Sequence, residues 1–356
     1  MNRDIPIILL GIGQVGRALI QQILAQGDIL ARRAGIRLLL VGTMDSQALL
    51  INSEGLSDAA IEETMKIKAR GGSLSELPES QSVDELDAPM RGNAILVDVT
   101  ASALTKPRLL TALDSNMGVV LANKIPLTEA WAEAKPFFEQ PHLRYEATVG
   151  AGLPAIATLR YLLDTGDRVT AMQGCFSGTL GYLCTELERG ESYADTIKHA
   201  RALGYTEPDP REDLSGRDVA RKAIILARTA GWLLDENDFN IESLYPHSLA
   251  DISTAEFIDA SPTLNQTYTA RFDAARAEGQ RLRYIAQINP KGGTVGLVPV
   301  LQNSPLGALR GTANHIAFYT ERYADVPLVI SGPGAGPDVT AAGVLGDIID
   351  LASVLS

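Results

Sequence analysis

The stretch Ile5-Pro-Ile-Ile-Leu-Leu10-Gly11-Ile-Gly13-Gln-Val-Gly16 joins an unbroken apolar run to a glycine-rich turn. The run has the length of a strand and suits a parallel sheet that is buried on both faces. Past the turn, apolar side chains recur at the spacing of one helix face, at Val15, Ala18, Leu19 and Ile23. The stretch therefore predicts a strand, a tight turn and a helix in direct succession.

Three more apolar runs of strand length follow, at residues 36–41, 94–99 and 118–122, with helical or polar stretches between them. Strands that alternate with helices in this way form a doubly wound parallel sheet, so the predicted fold class is α/β with a Rossmann-type sheet. Residues 52–91 are polar, carry a helical pattern only around 59–68, and are predicted to form a peripheral insertion.

The rest of the chain predicts a second domain of α+β type. A strand at 143–148 precedes helices at 154–163, 192–203, 217–234 and 264–278, and strands at 283–288, 294–300 and 317–320. A strand at 326–330, a glycine turn at 332–337 and a helix at 338–355 then repeat the pattern of the beginning. We therefore expect a first domain at 1–142, a second at 143–322, and a strand–turn–helix at 323–356 that returns to the first.

Composition and charge exclude several classes of protein. The 356 residues hold 31 Lys and Arg against 43 Asp and Glu, a net charge of −12, which disfavours nucleic acid and anionic membranes as partners. No apolar run approaches the roughly 18 residues of a membrane span, and the first residues do not resemble a signal sequence. Cys175 and Cys184 form neither a metal-binding nor a disulfide pattern, so we expect a cytoplasmic protein.

Each glycine of the first turn has its own physical role. Gly11 permits the tight turn, Gly13 lets a diphosphate approach the backbone, and Gly16 lets the helix pack closely on the strand. The N-terminus of the following helix stabilises an anion. Such glycines also occur in purely structural turns, but their position between a buried strand and a helix favours dinucleotide binding.

The residues after the second strand bear on the choice between NAD and NADP. Asp45 lies a few residues past the expected strand end, where a carboxylate would bind the ribose 2′-hydroxyl of NAD. It would equally suit a solvated loop. No arginine, which would favour the 2′-phosphate of NADP, occurs between residues 42 and 65. The sequence thus favours NAD and leaves NADP open.

An unusual acidic segment reads Gly204-Tyr-Thr-Glu-Pro-Asp-Pro-Arg-Glu-Asp213 and has four carboxylates within seven positions. Pro208 and Pro210 exclude a helix, so the side chains project from an extended segment in several directions. The segment could receive an ammonium group, bind a divalent metal, or form a solvated acidic loop.

Two lysines occupy positions suited to chemistry. Lys124, in Asn123-Lys124-Ile-Pro126, follows the fourth strand at the edge where doubly wound sheets bind ligands, although it would also suit an ordinary loop. Lys222 lies four residues after Asp218 at the start of a helix, so the two side chains share one face. The two residues either form a surface salt bridge, or Lys222 is a proton donor whose pKa is tuned by burial and by Asp218.

Taken in order, these motifs resemble the homoserine dehydrogenase family over nearly the whole chain. The matching segments are 11–16, Asn123-Lys124, Glu146-Ala-Thr-Val-Gly-Ala-Gly-Leu-Pro154, Gly178-Thr179, 204–222, 332–336 and 340–344. The resemblance implies a reversible, NAD(P)-dependent interconversion of L-homoserine and L-aspartate 4-semialdehyde, a reaction of threonine, methionine and isoleucine biosynthesis. It implies nucleotide binding by the first domain, substrate binding, catalysis and dimerisation by the second, and a homodimer.

The resemblance also implies roles for individual residues. Lys124 and Lys222 would be catalytic, with Asp218 orienting Lys222 or the substrate hydroxyl. The substrate would contact Gly178, Thr179, Tyr205, Glu207 and Asp213, and the last two would hold its ammonium group. The cofactor would contact Gly11, Ile12, Gly13, Gln14, Val15, Gly16, Thr100, Ala101, Ser102, Lys124, Gly334 and Gly336. A monovalent cation, Na⁺ or K⁺, would be bound mostly by the backbone carbonyls of Glu146, Val149, Ala151 and Leu153.

Two features depart from the family pattern. The common Gly-Thr-x-Asn/Ser-Tyr motif reads Gly178-Thr-Leu-Gly181-Tyr182, so Gly181 lacks a polar side chain expected beside the cleft. The chain ends at Ser356 with no room for an ACT or aspartokinase domain, so we expect no threonine feedback through a built-in domain. A dehydrogenase of another small amino acid and a non-catalytic nucleotide sensor are the alternative functions; the presence of both lysines and the acidic set disfavours the sensor.

Overall fold

The predicted strand–turn–helix opens the computed structural model, which describes residues 2–87 and 93–355. Residues 88–91 of the predicted insertion, and residues 1 and 356 at the ends of the predicted domains, lie outside the described residues. The chain divides into two units. Unit 1 is Met1–Gly152 with Gly336–Ser356, and unit 2 is Leu153–Ala335.

Unit 1 is built on a six-stranded sheet. Its strands are β1 (Arg3–Leu10), β2 (Ile36–Met44), β3 (Leu49–Ile51), β4 (Ile95–Asp98), β5 (Gly118–Leu121) and β6 (Leu143–Arg144). They lie in the order β3-β2-β1-β4-β5-β6, and every pair is parallel except β2 with β3. The predicted α/β class with a Rossmann-type sheet is confirmed.

The first helix of unit 1, α1 (Gln14–Ala34), begins directly after the glycine turn and ends at Gly35, which is left-handed with φ 64°. Its buried side chains Leu19, Ile20 and Ile23 pack in one core with the strand residues of β1. The helices that follow are α2 (Asp58–Ala69), α3 (Lys106–Asp114), α4 (Ile125–Thr128) and α5 (Trp131–Phe138).

Unit 2 contains a second six-stranded sheet. Its strands are β7 (Val169–Cys175), β8 (Phe239–Ile241), β9 (Gln280–Asn289), β10 (Gly292–Leu301), β11 (Ala313–Thr320) and β12 (Leu328–Pro333), in the order β12-β11-β7-β9-β10-β8. Its helices are α6 (Ala155–Asp164), α7 (Gly178–Arg189), α8 (Tyr193–Ala202), α9 (Arg211–Leu214), α10 (Arg217–Thr229), α11 (Thr254–Ala260), α12 (Asn265–Ala277) and α13 (Pro305–Ala308). Only β8 and β10 pair in parallel, as an α+β unit allows.

The last helix, α14 (Pro337–Val354), belongs to unit 1. Its side chains Ala341, Val344, Ile348 and Leu351 are fully buried in the core that also holds the residues of β1 and β4. Among the helices of the described ranges, none is both long and apolar enough to cross a membrane.

Two expectations about the domain borders are wrong. β6 ends at Arg144, and not at residue 148, because a 3₁₀ turn starts at Glu146 and the Glu146 N–H donates to Asp347 Oδ2 (2.7 Å). Since β6 pairs with β5, unit 1 extends past residue 142 to Gly152. The strand expected to return to the first domain is β12, which instead pairs antiparallel with β11 in the second sheet; only α14 returns.

Candidate active site

The glycine turn of unit 1 has a shape that fits an anion. Gly11 has φ 92°, and a Cβ at Gly16 would lie 2.1 Å from the Gly11 carbonyl oxygen, so both positions require glycine. A Cβ at Gly13 would meet no heavy atom within 4 Å, so the backbone faces open space at the N-terminus of α1. The first turn of α1 holds no acidic residue. A diphosphate group could therefore approach Gly13 and its neighbours Ile12, Gln14 and Val15 without repulsion from an acidic side chain.

The turns after β4 and β5 are joined by a buried carboxylate. Asp98 is fully buried and accepts hydrogen bonds from the Thr105 hydroxyl (2.7 Å), the Asn123 amide (3.0 Å) and the Thr100 N–H (2.9 Å). The Asn123 amide also donates to the Ser102 carbonyl (2.8 Å). These bonds bring the predicted cofactor contacts Thr100, Ala101 and Ser102 to the same edge as Lys124. Asp98 was not predicted, although an acid that ends the apolar run Ile-Leu-Val-Asp is a signal for it.

Lys124 occupies the predicted position at this edge. It directly follows Asn123 and is the N-cap residue of α4, and its side chain is half-buried. A Cβ at Gly11 would lie 2.8 Å from Thr100 Cγ2, so the glycine turn and the turn after β4 are in contact. Unit 1 thus brings the predicted nucleotide contacts of the turns 11–16 and 100–102 and Lys124 to the carboxyl ends of its parallel strands, where this fold binds ligands.

Asp45 has a closed set of partners. Its Oδ1 accepts from the N–H groups of Gln47 (2.9 Å) and Ala48 (3.0 Å), and its Oδ2 accepts from Lys68 Nζ (2.9 Å) and the Leu74 N–H (2.8 Å). Burial opposes ionisation, but the Lys68 ammonium and the three N–H groups together hold the pKa of Asp45 below its ordinary value. The carboxylate therefore ties its own loop to a distant segment and is not a solvated loop residue.

In unit 2, Lys222 and Asp218 form more than a surface pair. Lys222 Nζ lies 2.7 Å from Asp218 Oδ2 and donates a second hydrogen bond to the Phe176 carbonyl (2.7 Å). The lysine side chain is 14% exposed, whereas that of Asp218 is 40% exposed. The ammonium group is consequently held between α10 and the end of β7. An exposed i,i+4 pair would lack this second contact to a distant backbone carbonyl.

The four acids of the 204–213 segment have different roles. Asp209 binds the Arg211 guanidinium and accepts from the Thr254 hydroxyl, and the arginine hydrogen bonds lower the pKa of Asp209 to about 2. Arg211 also donates to three carbonyls of residues 249–252. Asp209 thus has a structural role, because it links the acidic segment to Thr254 and orients Arg211. Glu207 and Glu212 are exposed.

Asp213 is the partly buried acid of this segment. Its Oδ2 accepts the Glu207 N–H (2.9 Å). Burial raises the pKa of Asp213, the carboxylates of Glu207 and Asp218 add to the rise, and the hydrogen bond from the Glu207 N–H opposes it. A cation bound here would offset the cost of burying the Asp213 carboxylate and would reduce its repulsion from the carboxylates of Glu207 and Asp218. Among the described residues, no group of three or more His, Cys, Asp and Glu is arranged to hold a metal ion.

The predicted substrate contacts at the start of α7 lie beside Asp213. The Thr179 hydroxyl donates to the Tyr205 carbonyl, and the Tyr205 ring packs edge-on against Tyr182 with centroids 5.1 Å apart. A Cβ at Gly178 would lie 3.2 Å from Thr312 Cβ. Short contacts in unit 2 thus connect the predicted residues Gly178, Thr179, Tyr205, Glu207, Asp213, Asp218 and Lys222 with one another.

The structure corrects the expectation for Gly181. A Cβ at this position would lie 2.8 Å from the Gly311 carbonyl oxygen, so the residue faces the backbone of a neighbouring loop and not an open cleft. Thr185 strengthens that contact, because its hydroxyl donates to the Gly181 carbonyl (2.8 Å) and accepts the Gly311 N–H (3.0 Å). The glycine accommodates a close approach of two backbones, which a side chain at this position would disturb.

The remaining predicted residues lie in two places. In unit 1, Glu146 and Val149 are buried, and Gly150 and Ala151 have positive φ values of 80° and 58°, which turn their carbonyls away from a regular strand. Leu153, the fourth predicted cation ligand, begins unit 2. Gly334 of unit 2 lies against Asn314, whose Nδ2 would be 1.9 Å from a Cβ there, and Gly336 of unit 1 has φ 115° at the start of α14.

Comparison with known proteins gives consistent matches. The family model "Homoserine dehydrogenase, NAD binding domain" matches residues 11–135, and the model "Homoserine dehydrogenase" matches residues 154–349. The chain is 37% identical over 355 residues, 98% of its length, to a chloroplastic bifunctional aspartokinase/homoserine dehydrogenase from Zea mays, and spans 38% of that protein.

Two shorter proteins are also similar. A homoserine dehydrogenase from Paracoccidioides brasiliensis is 39% identical over 275 residues, which cover 72% of this chain and 74% of that protein. A crystal structure of a Candida auris protein of unknown function superposes with a TM-score of 0.86 at 31% identity, and the match covers 99% of each chain. The sequence similarity thus extends over both units.

Proposed function

Because the chain belongs to the homoserine dehydrogenase family, we propose that it catalyses the reversible, NAD(P)-dependent interconversion of L-homoserine and L-aspartate 4-semialdehyde. It carries the family's NAD-binding domain at residues 11–135. The reaction belongs to the biosynthesis of threonine, methionine and isoleucine, and we propose that the protein performs it in the cytoplasm. The bound dinucleotide supplies the hydride acceptor when the alcohol is oxidised.

The observation that best supports this function is the way in which Lys222 Nζ is held by its neighbours. Oxidation of an alcohol releases the hydroxyl proton, and a positioned side chain must take it. Lys222 is held by Asp218 and the Phe176 carbonyl, so its Nζ is fixed in direction although the side chain is long. We assign Lys222 as the acid–base group: its neutral amine takes the hydroxyl proton in oxidation, and the resulting ammonium returns that proton in reduction. Asp218 is its positioning residue, and Lys124 is a second catalytic lysine.

The acids of the same site suit the amino group of the substrate. Asp213 is partly buried next to the carboxylates of Glu207 and Asp218, and this excess of negative charge attracts an ammonium ion. Thr179 and Tyr205 fix the loop that carries Glu207, because the Thr179 hydroxyl binds the Tyr205 carbonyl. Gly178 leaves room at the start of α7.

The residues of unit 1 fit the cofactor. The N–H groups of the turn 11–16 would hold the diphosphate, since Gly13 is open and the N-terminus of α1 is free of acids. Thr100, Ala101, Ser102 and Lys124 would line the same edge, and Gly336 would contribute from the start of α14.

We also propose a bound Na⁺ or K⁺ and a homodimer. The proposed ligands are mostly the backbone carbonyls of Glu146, Val149, Ala151 and Leu153, and Ala151 has a left-handed backbone with φ 58°. A dependence of activity on Na⁺ or K⁺ concentration would test this. A face of the unit 2 sheet leaves Gln287, Thr294 and Val329 exposed in one row across its strands. We expect a second copy to cover this row, which light scattering during size exclusion would detect.

The function is tested by following the absorbance of reduced nicotinamide with L-homoserine as substrate. Identification of L-aspartate 4-semialdehyde by mass spectrometry would support the proposal. Turnover of another amino acid in preference to homoserine would favour a different dehydrogenase, and dinucleotide binding without any turnover would favour a nucleotide sensor.

The cofactor site is tested by Gly13→Val. The valine would occupy the open space in front of the turn, so we expect loss of detectable NADH and NADPH binding in a calorimetric titration. The melting temperature should not fall, because a Cβ at Gly13 meets no protein atom. Gly27→Val is the matched control, because Gly27 lies inside α1, well away from the glycine turn, and a Cβ there would also meet no heavy atom within 4 Å. Unchanged binding by Gly13→Val would refute the assigned site.

A further inference from the structure

We propose that Asp45 anchors the segment 68–74 to the end of β2 and does not bind the cofactor, and that Ser46 is the position facing the adenosine ribose, so that the chain selects only weakly between NAD and NADP. This inference rests on the proposed function, because it concerns the dinucleotide that the function requires.

The loop after β2 lies where the ribose of a bound dinucleotide is expected. The Gly11 N–H donates to the Met44 carbonyl (2.9 Å), so the last residue of β2 is tied to the first glycine of the turn. In dinucleotide-binding folds, the residue beyond the second strand selects the cofactor through the 2′ position of the adenosine ribose. Asp45 and Ser46 are the residues directly beyond β2.

The carboxylate of Asp45 cannot serve that purpose without losing its present partners. A carboxylate offers about four acceptor sites, and those of Asp45 bind four donors at 2.8 to 3.0 Å. The side chain is 8% exposed. A ribose hydroxyl would have to displace a backbone N–H or the Lys68 ammonium, which would leave a buried donor unpaired.

The partners of Asp45 show what the anchor holds. Lys68, near the end of α2, binds both Asp45 and the Gly72 carbonyl (2.8 Å), and the Leu74 N–H binds Asp45 directly. α2 forms one side of a groove of about 510 Å³ that begins at Gln14 of α1. The anchor therefore fixes the wall of a groove that starts at the glycine turn.

The residues left to face the ribose carry no charge. Ser46 and Gln47 are both exposed at the tip of the loop. A free carboxylate there would bind the 2′-hydroxyl of NAD and repel the 2′-phosphate of NADP, and an arginine would do the reverse. A serine does neither strongly, so neither cofactor is excluded.

Calorimetric titration of NADH and NADPH into the full chain without substrate tests the inference. We expect the two Kd values of the wild-type protein to lie within about tenfold of each other. Asp45→Asn should lower the melting temperature and leave the ratio of the two Kd values unchanged. Ser46→Arg should shift that ratio toward NADPH by about tenfold or more and leave the melting temperature unchanged.

Lys68→Met covers the case in which Asp45→Asn does not fold. It removes a partner of the carboxylate and keeps the carboxylate, so an anchor predicts a lower melting temperature and an unchanged Kd ratio. A change of tenfold or more in the ratio in either variant, or no response to Ser46→Arg, would overturn the inference. Failure of the wild-type protein to bind either dinucleotide would instead refute the proposed function.

Discussion

Two aspartate–lysine ion pairs in this chain have the same chemistry but different surroundings. Asp45 and Lys68 of unit 1 lie 2.9 Å apart, and the carboxylate is the more buried partner, 8% against 18% exposed. Asp218 and Lys222 of unit 2 lie 2.7 Å apart, and there the ammonium is the more buried, 14% against 40% exposed. The first pair satisfies a carboxylate with N–H groups of its own chain, whereas the second orients an ammonium group beside other carboxylates. The more buried partner is the anion in the pair that ties two segments together, and the cation in the pair that we propose for catalysis.

The largest expected effect comes from removing the two lysines in turn. Lys222→Ala should lower kcat by about 10²-fold or more, the range for loss of a positioned acid–base group, and leave the melting temperature unchanged. Lys68→Ala should do the opposite, because it frees a buried carboxylate and two chain segments while touching no reacting group; we expect a loss of about 1–3 kcal/mol in unfolding free energy. Both kcat and thermal unfolding should be measured on both variants. Near-normal turnover by Lys222→Ala would contradict the difference that we draw between the two pairs.

The second catalytic lysine gives an effect of similar size. Lys124→Ala should lower kcat by about 10²-fold, because Lys124 lies at the strand edge that carries the nucleotide contacts. Lys135→Ala is a suitable control, since Lys135 is an exposed lysine of the same unit that forms an i,i+4 pair with Glu139. Steady-state kinetics on both variants should show a loss only for Lys124. Equal kinetics would make Lys124 an ordinary loop residue.

A smaller effect is expected from the excess of acid near Lys222. Glu207→Gln should raise the KM for L-homoserine by about tenfold or more, because a charge-assisted contact to the substrate ammonium is lost. The Kd for NADH should not change. Glu212→Gln, an exposed acid of the same segment, should alter neither quantity. An equal change in both constants for Glu207→Gln would indicate a structural role for Glu207.

The smallest effect concerns the pH dependence of the Asp45 anchor. The pKa of Asp45 is lowered in the folded chain, so its stabilising contribution is present in full above the pKa of the unfolded chain, about 3.9, and is lost as the pH falls through the lower folded value. The difference in melting temperature between wild type and Asp45→Asn should therefore be constant near neutral pH and shrink below about pH 4. A difference that grows with acid would contradict the anchor.

Features that depend on neighbouring residues in the chain were predictable. The run from Ile5 to Gly16 predicted a strand, turn and helix, and the glycine geometry agrees with the role given to each glycine. β7 and α7 have no counterpart among the predicted elements. The strand Val169–Cys175 mixes polar and apolar residues without regular alternation, and α7 contains two glycines near its start that propensity disfavours but tertiary contacts require.

Contacts between residues that are distant in the chain could not be predicted from the sequence. Lys222 looked like half of a routine helix pair, because the carbonyl that buries it belongs to Phe176, far away in sequence. Asp45 could not be assigned, because its partners Lys68 and Leu74 lie in the polar stretch that seemed peripheral. Asp209 was one of four carboxylates open to a ligand, but it is paired with Arg211, whose guanidinium also donates to carbonyls of residues 249–252. Sequence reveals which groups are present; it does not reveal which of them are already paired.

The position of α14 bears on how the chain comes to fold during synthesis. Unit 1 takes its last helix from the end of the chain, and the 183 residues of unit 2, Leu153–Ala335, are translated before it. At about 5–20 residues per second, the ribosome needs roughly 10–40 s to make that stretch. During this interval the apolar sheet residues that α14 will cover, among them Ile95 and Val97, lack their final cover. Unit 1 is thus begun before unit 2 and completed after it, and a nascent chain arrested before Pro337 would expose these apolar side chains to chaperones and proteases.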